Sequence, residues 1–187
     1  MIPDYARAAR MAYKTILSLH IDRLPIDPLM ILRHCRNTRI RTYDEVAPLF
    51  GVSDPSYFKY YVMADKEAMT IRRERDGAIH YELFYDAHGN YSRRRFTLAH
   101  ELGHIVLKHT QEQPYEEKEA DYYAAQLLAP HPLVSLQEQR PEVIADTFWL
   151  SATASKIALV QPRHQPDQEL YQAIRKQFEP LFDIKAV

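Results

Sequence analysis

The 187-residue sequence has one cysteine, four glycines, one tryptophan and almost no net charge. Cys35 has no second cysteine to pair with, which fits a reducing compartment. No activating base stands near it, so it reads as a small semi-buried apolar residue rather than a nucleophile. The scarcity of glycine leaves few places to hinge, and no glycine-rich linker, internal repeat or low-complexity tract interrupts the chain. With 24 basic against 25 acidic residues, nothing draws the molecule as a whole towards nucleic acid or an anionic membrane, so a partner must be recognised locally. No apolar run approaches the roughly 20 residues that span a bilayer. The opening "MIPDYARAARMAYKTILSLH" lacks the compact apolar region and cleavage site of a signal peptide, and a cytosolic protein is expected.

What is present describes a globular protein, with 46% hydrophobic and 26% charged residues. The length suits one well-cored domain over 1–187, with an N-terminal helix in 1–20, a core in 21–135 and a helical C-terminal part in 136–187. Apolar residues recur at helical spacing from Tyr5 to Leu19, and Asp27-Pro28 has the form of a cap and first position of a second helix. Asp76-Gly77 lies between β-compatible runs and predicts a hairpin, and Gly89-Asn90 predicts a further turn. A small antiparallel sheet packed on helices follows, an α+β arrangement. Helical patterning resumes near Ser92 and runs through His109, a further helix spans about Pro114 to Ala129, and the remainder reads as three short helices.

The stretch "RRRFTLAHELGHIVLKH", residues 93–109, carries the chemistry. Helix positions four apart are rotated by about 40° and separated by about 6 Å, so His100 and His104 project from one face and can converge on one ion. Glu101, at the flank of that face, is placed to take a proton from water without being a ligand. This is the HExxH arrangement, in which the two histidines bind zinc and the glutamate is the general base. Leu98, Ala99, Leu102, Val106 and Leu107 give the helix a side to bury, and Gly103 leaves room for a neighbour.

A catalytic zinc takes three protein ligands and keeps a fourth position open. An extended motif with a third histidine would need Gly at 107 and His at 110, where Leu107 and Thr110 stand. His109 lies about 140° around the helix from His104 and points away unless the helix has already ended. "YEEKEADYYAAQLLAP" offers more. Glu117 and Asp121 are four apart and share a face, so Glu117 can reach the metal while Asp121 accepts from the free ring nitrogen of a ligating histidine. Ala120 and Ala124, opposite Gly103, would let the two helices approach. Glu116 and Glu119 compete for the ligand role but fit a solvated face better. The plain alternative makes His100, Glu101 and His104 surface residues and "EEKE" a hydrated helix start.

At these residues the chain resembles the ImmA/IrrE family of HExxH metallopeptidases. The likeness rests on "RRRFTLAHELGH" and "EKEADYYAAQLLAP", with weaker support from "LPIDPLMILRHC" and "IADTFWLSATASKIAL", and covers roughly residues 20–160. His131 after Pro130, and Tyr123 where the family tends to have Phe, depart from its pattern. The resemblance implies a zincin-like core, zinc bound by His100, His104 and Glu117, Glu101 as base, and a helix-turn-helix transcriptional repressor as the protein cut, often in mobile elements or stress-response loci.

Stabilising an oxyanion would need a further donor, for which Tyr115, Tyr122, His131 and a backbone amide are candidates. "IHYELFYD" could add an extended substrate at its edge, or could simply cover the metal helix. Some of Arg93, Arg94 and Arg95 are expected to pair with acidic neighbours such as Glu82 or Asp86, and three arginines without interleaved aromatics make a poor nucleic-acid footprint. Two rivals remain. "PEVIADTFWLSATASKIAL" has the look of a helix-turn-helix, but its second helix offers DNA only Lys156 as a cation, which favours a helical hairpin packed on the core. A zinc-binding regulator that cleaves little is the other, and the intact Glu101 speaks against it.

Overall fold

The structure, a computed structural model, describes residues 2–111, 113–162, 164 and 168–182. Asp4 caps α1 (Tyr5–Ser18) by accepting the Arg7 N–H at 2.8 Å, and the apolar period of the helix buries Ala8, Ala9, Ala12, Tyr13 and Ile16. Asp27 caps α2 (Pro28–His34), whose first position is Pro28, a residue with no N–H to leave unpaired. A strand without a sequence signal follows, β1 (Thr38–Thr42): in "TRIRT" only Ile40 is apolar. The chain then winds through α3 (Tyr43–Val46), a 3-10 turn at Ala47–Phe50, α4 (Pro55–Tyr57) and a π turn at Phe58–Val62. A capping box between Thr42 and Glu45 starts this segment. A small core of Tyr43, Val46, Ala47, Phe58 and Met63 holds it.

The expected hairpin joins β2 (Ala68–Arg75) to β3 (Ala78–Tyr85). Asp76 and Gly77 both take positive φ, 54° and 73°, the turn geometry whose twist matches that of the strands. The antiparallel register runs from Ala68 opposite Tyr85 to Arg75 opposite Ala78. β1 lies on the other side of β3 and parallel to it, Thr38 opposite Tyr81, so the sheet is mixed, in the order β1-β3-β2, rather than wholly antiparallel. This corrects the expectation for "IHYELFYD": β3 is central and has no free edge to offer, whereas β2 is an edge strand.

Asn90 accepts the Arg93 N–H and starts α5 (Tyr91–Leu107), which ends two residues before His109 because Lys108 turns left-handed at φ 57°. Next come α6 (Pro114–Leu128), α7 (His131–Val134), α8 (Pro141–Phe148), α9 (Ala152–Val160) and α10 (Gln168–Phe178). The last of the three short helices expected from the sequence, read over "PDQELYQAIRKQFEPLF", has its first two residues, 166–167, outside the described residues. One buried cluster runs from Ala8 to Phe178 and draws on α1, α2, α5, α6, α7, α8 and α10, with Leu83 and Tyr85 contributed by β3. At its centre α5 and α6 approach so closely that a β-carbon on Gly103 would lie 3.2 Å from the Ala120 Cα and 3.1 Å from Tyr123.

The pair α8–α9, bent by 110°, packs on this core through Ile144 and Phe148. Trp149 makes the turn at φ 53°. One arginine of the cluster, Arg93, pairs with an acid as expected, but with Glu67 rather than Glu82 or Asp86. Arg95 is buried and donates to the carbonyls of Phe148 (3.1 Å), Trp149 (2.8 Å) and Ile26 (2.8 Å), closing the negative end of α8. Arg94 donates to the Ala87 carbonyl, and Arg93 pairs with Glu67 at 3.4 Å. Glu82 pairs instead with Arg73, and Asp86 with Lys59. No single helix among the described residues is long and apolar enough to cross a membrane.

Candidate metal centre

The site is built where α5 and α6 face one another beside β2. His100 and His104, one turn apart on α5, bring their Nε2 atoms to 2.9 Å. Glu117, in the first turn of α6, sets Oε2 at 3.3 Å from His100 Nε2 and Oε1 at 3.4 Å from His104 Nε2. The close crossing at Gly103 and Ala120 makes this meeting possible. The three ligand atoms lie within 4.8 Å of one another, a grouping that could hold a metal ion. Around a tetrahedral zinc with bonds of roughly 2.0–2.1 Å, ligand atoms stand roughly 3.3 Å apart. The two histidine–glutamate separations match that spacing, and the histidine–histidine separation is somewhat shorter.

Asp121, one turn along α6 from Glu117, takes the outer nitrogen of His100: Nδ1 to Oδ1 is 2.8 Å. Burial lowers the basicity of the His100 imidazole, but the hydrogen bond to Asp121 and the nearby carboxylates outweigh it and raise the pKa. His104 goes the other way. Burial, followed by the neighbouring imidazoles of His100 and His109, lowers its pKa to about 3, so near neutral pH it keeps a lone pair free for a cation. Burial also pushes the Glu101 carboxyl up, against the pull of His100. His100, Glu101, His104 and Glu117 line a cleft of about 740 Å³, whose opposite wall is the edge of the sheet from Lys66 through Thr70 to Arg72.

His109 is the residue that sequence reasoning undervalued. Because α5 stops at Leu107, the chain doubles back, and His109 Nδ1 comes to 3.0 Å from His104 Nδ1. The only hint in the sequence is the loss of apolar period after Leu107. Glu116 and Glu119, expected on a solvated face, are both buried. Glu116 accepts the backbone N–H groups of Thr110, Gln111 and Gln113 and ties down the α5–α6 connection. Glu119 points towards α1 and accepts from the Asp4 N–H at 2.8 Å. Of the candidates for an oxyanion donor, Tyr122 is turned away, donating to the Pro162 carbonyl at 3.0 Å and accepting from the His164 N–H. Tyr115 and His131 also lie outside the cleft walls.

Comparison with known proteins bears on the same span. No curated protein matches the chain. The model of the Peptidase M78 family, described as the IrrE N-terminal-like domain, matches residues 56–159, more than half of the 187 and inclusive of β2, β3, α5 and α6. A match of that extent, across the cleft and both helices that frame it, makes the chain a member of the IrrE N-terminal-like peptidase family.

Proposed function

We propose that the chain acts, as one folded unit in the cytosol, as a zinc-dependent endopeptidase in which His100, His104 and Glu117 hold the ion and Glu101 is the general base. The observation that carries this reading is the convergence of the three ligand atoms beside Glu101 in one open cleft. A zinc ion held there would supply a Lewis acid that lowers the pKa of a water towards 7 and polarises a peptide carbonyl. Glu101 takes the proton as the water attacks and returns it to the departing amine, and its raised pKa suits a group that must both accept and release. Asp121 fixes the ring of His100 with its Nε2 turned inward.

The free edge of β2 supports an extended substrate laid along the cleft by backbone hydrogen bonds, which would make cleavage depend on unfolded or exposed chain more than on side-chain identity. Family membership supports a protein substrate, and the resemblance at the two helices supports a helix-turn-helix repressor, cut to switch transcription in a mobile element or stress response. Glu101→Gln separates enzyme from scaffold. The variant should keep zinc and lose cleavage of unfolded casein by at least about a hundredfold, since removing a positioned general base costs on the order of 10²–10⁴. Cleavage at the wild-type rate would refute the assigned role.

A further inference from the structure

The two histidines of α5 are held from behind in different ways. His100 leans on Asp121, whose side chain is 58% exposed. His104 leans inward: its Nδ1 meets His109 Nδ1 at 3.0 Å, and His109 Nε2 meets Glu119 Oε2 at 3.2 Å, with both of the latter side chains only 5% exposed. We propose that His109 and Glu119 are positioning residues that fix the tautomer and ring direction of His104 as a metal ligand. This rests on the reading that His100, His104 and Glu117 hold the ion.

Donors and acceptors decide which tautomer each ring takes. A neutral imidazole has one N–H and one lone pair. If His104 gives its Nε2 lone pair to a cation, its proton sits on Nδ1 and must be donated, and the atom facing it is His109 Nδ1. His109 Nδ1 can accept only if its own proton sits on Nε2. That nitrogen faces Glu119 Oε2, and a carboxylate there only accepts. The opposite assignment, with His109 Nδ1 donating, would put the His104 proton on Nε2 and face an N–H to the cation. Glu119 therefore selects, two hydrogen bonds away, which nitrogen of His104 is free.

The carboxylate is itself fixed. The Asp4 N–H donates to Oε1 at 2.8 Å and Arg7 Nη1 donates to Oε2 at 3.2 Å, both from the start of α1, while Arg7 also donates to the Leu107 carbonyl at the end of α5. His109 is delivered by the backbone at that helix end, where its N–H bonds the His104 carbonyl at 3.0 Å and the Lys108 N–H bonds that of Ile105, the double closure of a Schellman motif. The turn that stops the helix thus returns His109 to the ligand five positions before it.

The test is zinc affinity of the full chain, read by competition with a chromophoric chelator, together with the visible absorption of the cobalt(II)-substituted protein. His109→Phe keeps a planar ring and removes the acceptor; it should weaken zinc binding about 10- to 100-fold, the usual cost of losing a partner behind a ligand, and alter the cobalt spectrum. His109→Gln, which restores an acceptor, should recover much of the loss. Wild-type affinity and spectrum in His109→Phe would overturn the proposal, as would a loss that His109→Gln does not recover, since packing alone would then explain it. If His109→Phe does not fold as the metal-free chain, Glu119→Gln decides: weakened zinc and an altered spectrum support the role, and unchanged values overturn it. A wild-type chain that takes up no zinc would instead refute the metal reading beneath it.

Discussion

Five side chains in and behind the candidate site owe their placement to local helical geometry. His100, Glu101 and His104 are fixed by the 3.6-residue turn of α5, Glu117 and Asp121 by that of α6, and each spacing is readable in the sequence. Asp121 holds the His100 ring through one 2.8 Å hydrogen bond from a largely solvated position. Asp121→Ala should therefore leave the fold intact and weaken zinc binding by about 10- to 100-fold, measured by chelator competition. Unchanged affinity would reduce Asp121 to a surface carboxylate. His109 and Glu119 were illegible for a physical reason. Their meeting needs Lys108 in a left-handed conformation that a lysine does not announce as a glycine would. It also needs a carboxylate buried by contacts with Asp4 and Arg7, more than a hundred positions away in the chain. A helical wheel of α6 alone puts Glu119 in water.

At the scale of elements, the site depends on how closely α5 meets α6. Gly103 makes that approach, and two effects of opposite sign decide what an alanine there would do. Helix propensity favours Gly103→Ala by about 1 kcal/mol, while overpacking against a close neighbour costs about 1–3 kcal/mol. The nearest atoms include the Ala120 Cα and carbonyl oxygen at 3.2 Å, which belong to backbone and cannot swing aside, so overpacking should win. The variant is expected to melt several degrees lower and to bind zinc more weakly, because α6 carries Glu117 and any separation of the helices moves it. A melting temperature equal to or above that of the wild type would show that the crossing has slack. The longer helices were legible through their apolar period, α2 through its Asp27-Pro28 cap and the β2–β3 hairpin through the Asp76-Gly77 turn, whereas the short helices α3, α4 and α7 were not. β1 was not, because arginines at 39 and 41 dilute its pattern, and pairing with the distant β3 stabilises it rather than its own composition. With β1 unseen, β3 was taken for an edge and the free edge of β2 was missed.

For the whole molecule, the near balance of charge gives no net charge to gather a substrate, and selectivity would have to come from the cleft between β2 and helices α5 and α6. One continuous core ties α1 and α10 to α5 and α6, so the walls of the site are anchored from both ends of the described chain. The proposed activity requires that His100, His104 and Glu117 enclose a cation. The direct measurement is metal content by inductively coupled plasma mass spectrometry, after zinc loading and exhaustive dialysis, on the wild-type chain and on His104→Ala. Close to one zinc per wild-type chain is expected, with nearly all of it lost in the variant; a wild-type chain that retains no zinc, or a variant that retains as much as the wild type, would contradict a cation held by these three side chains.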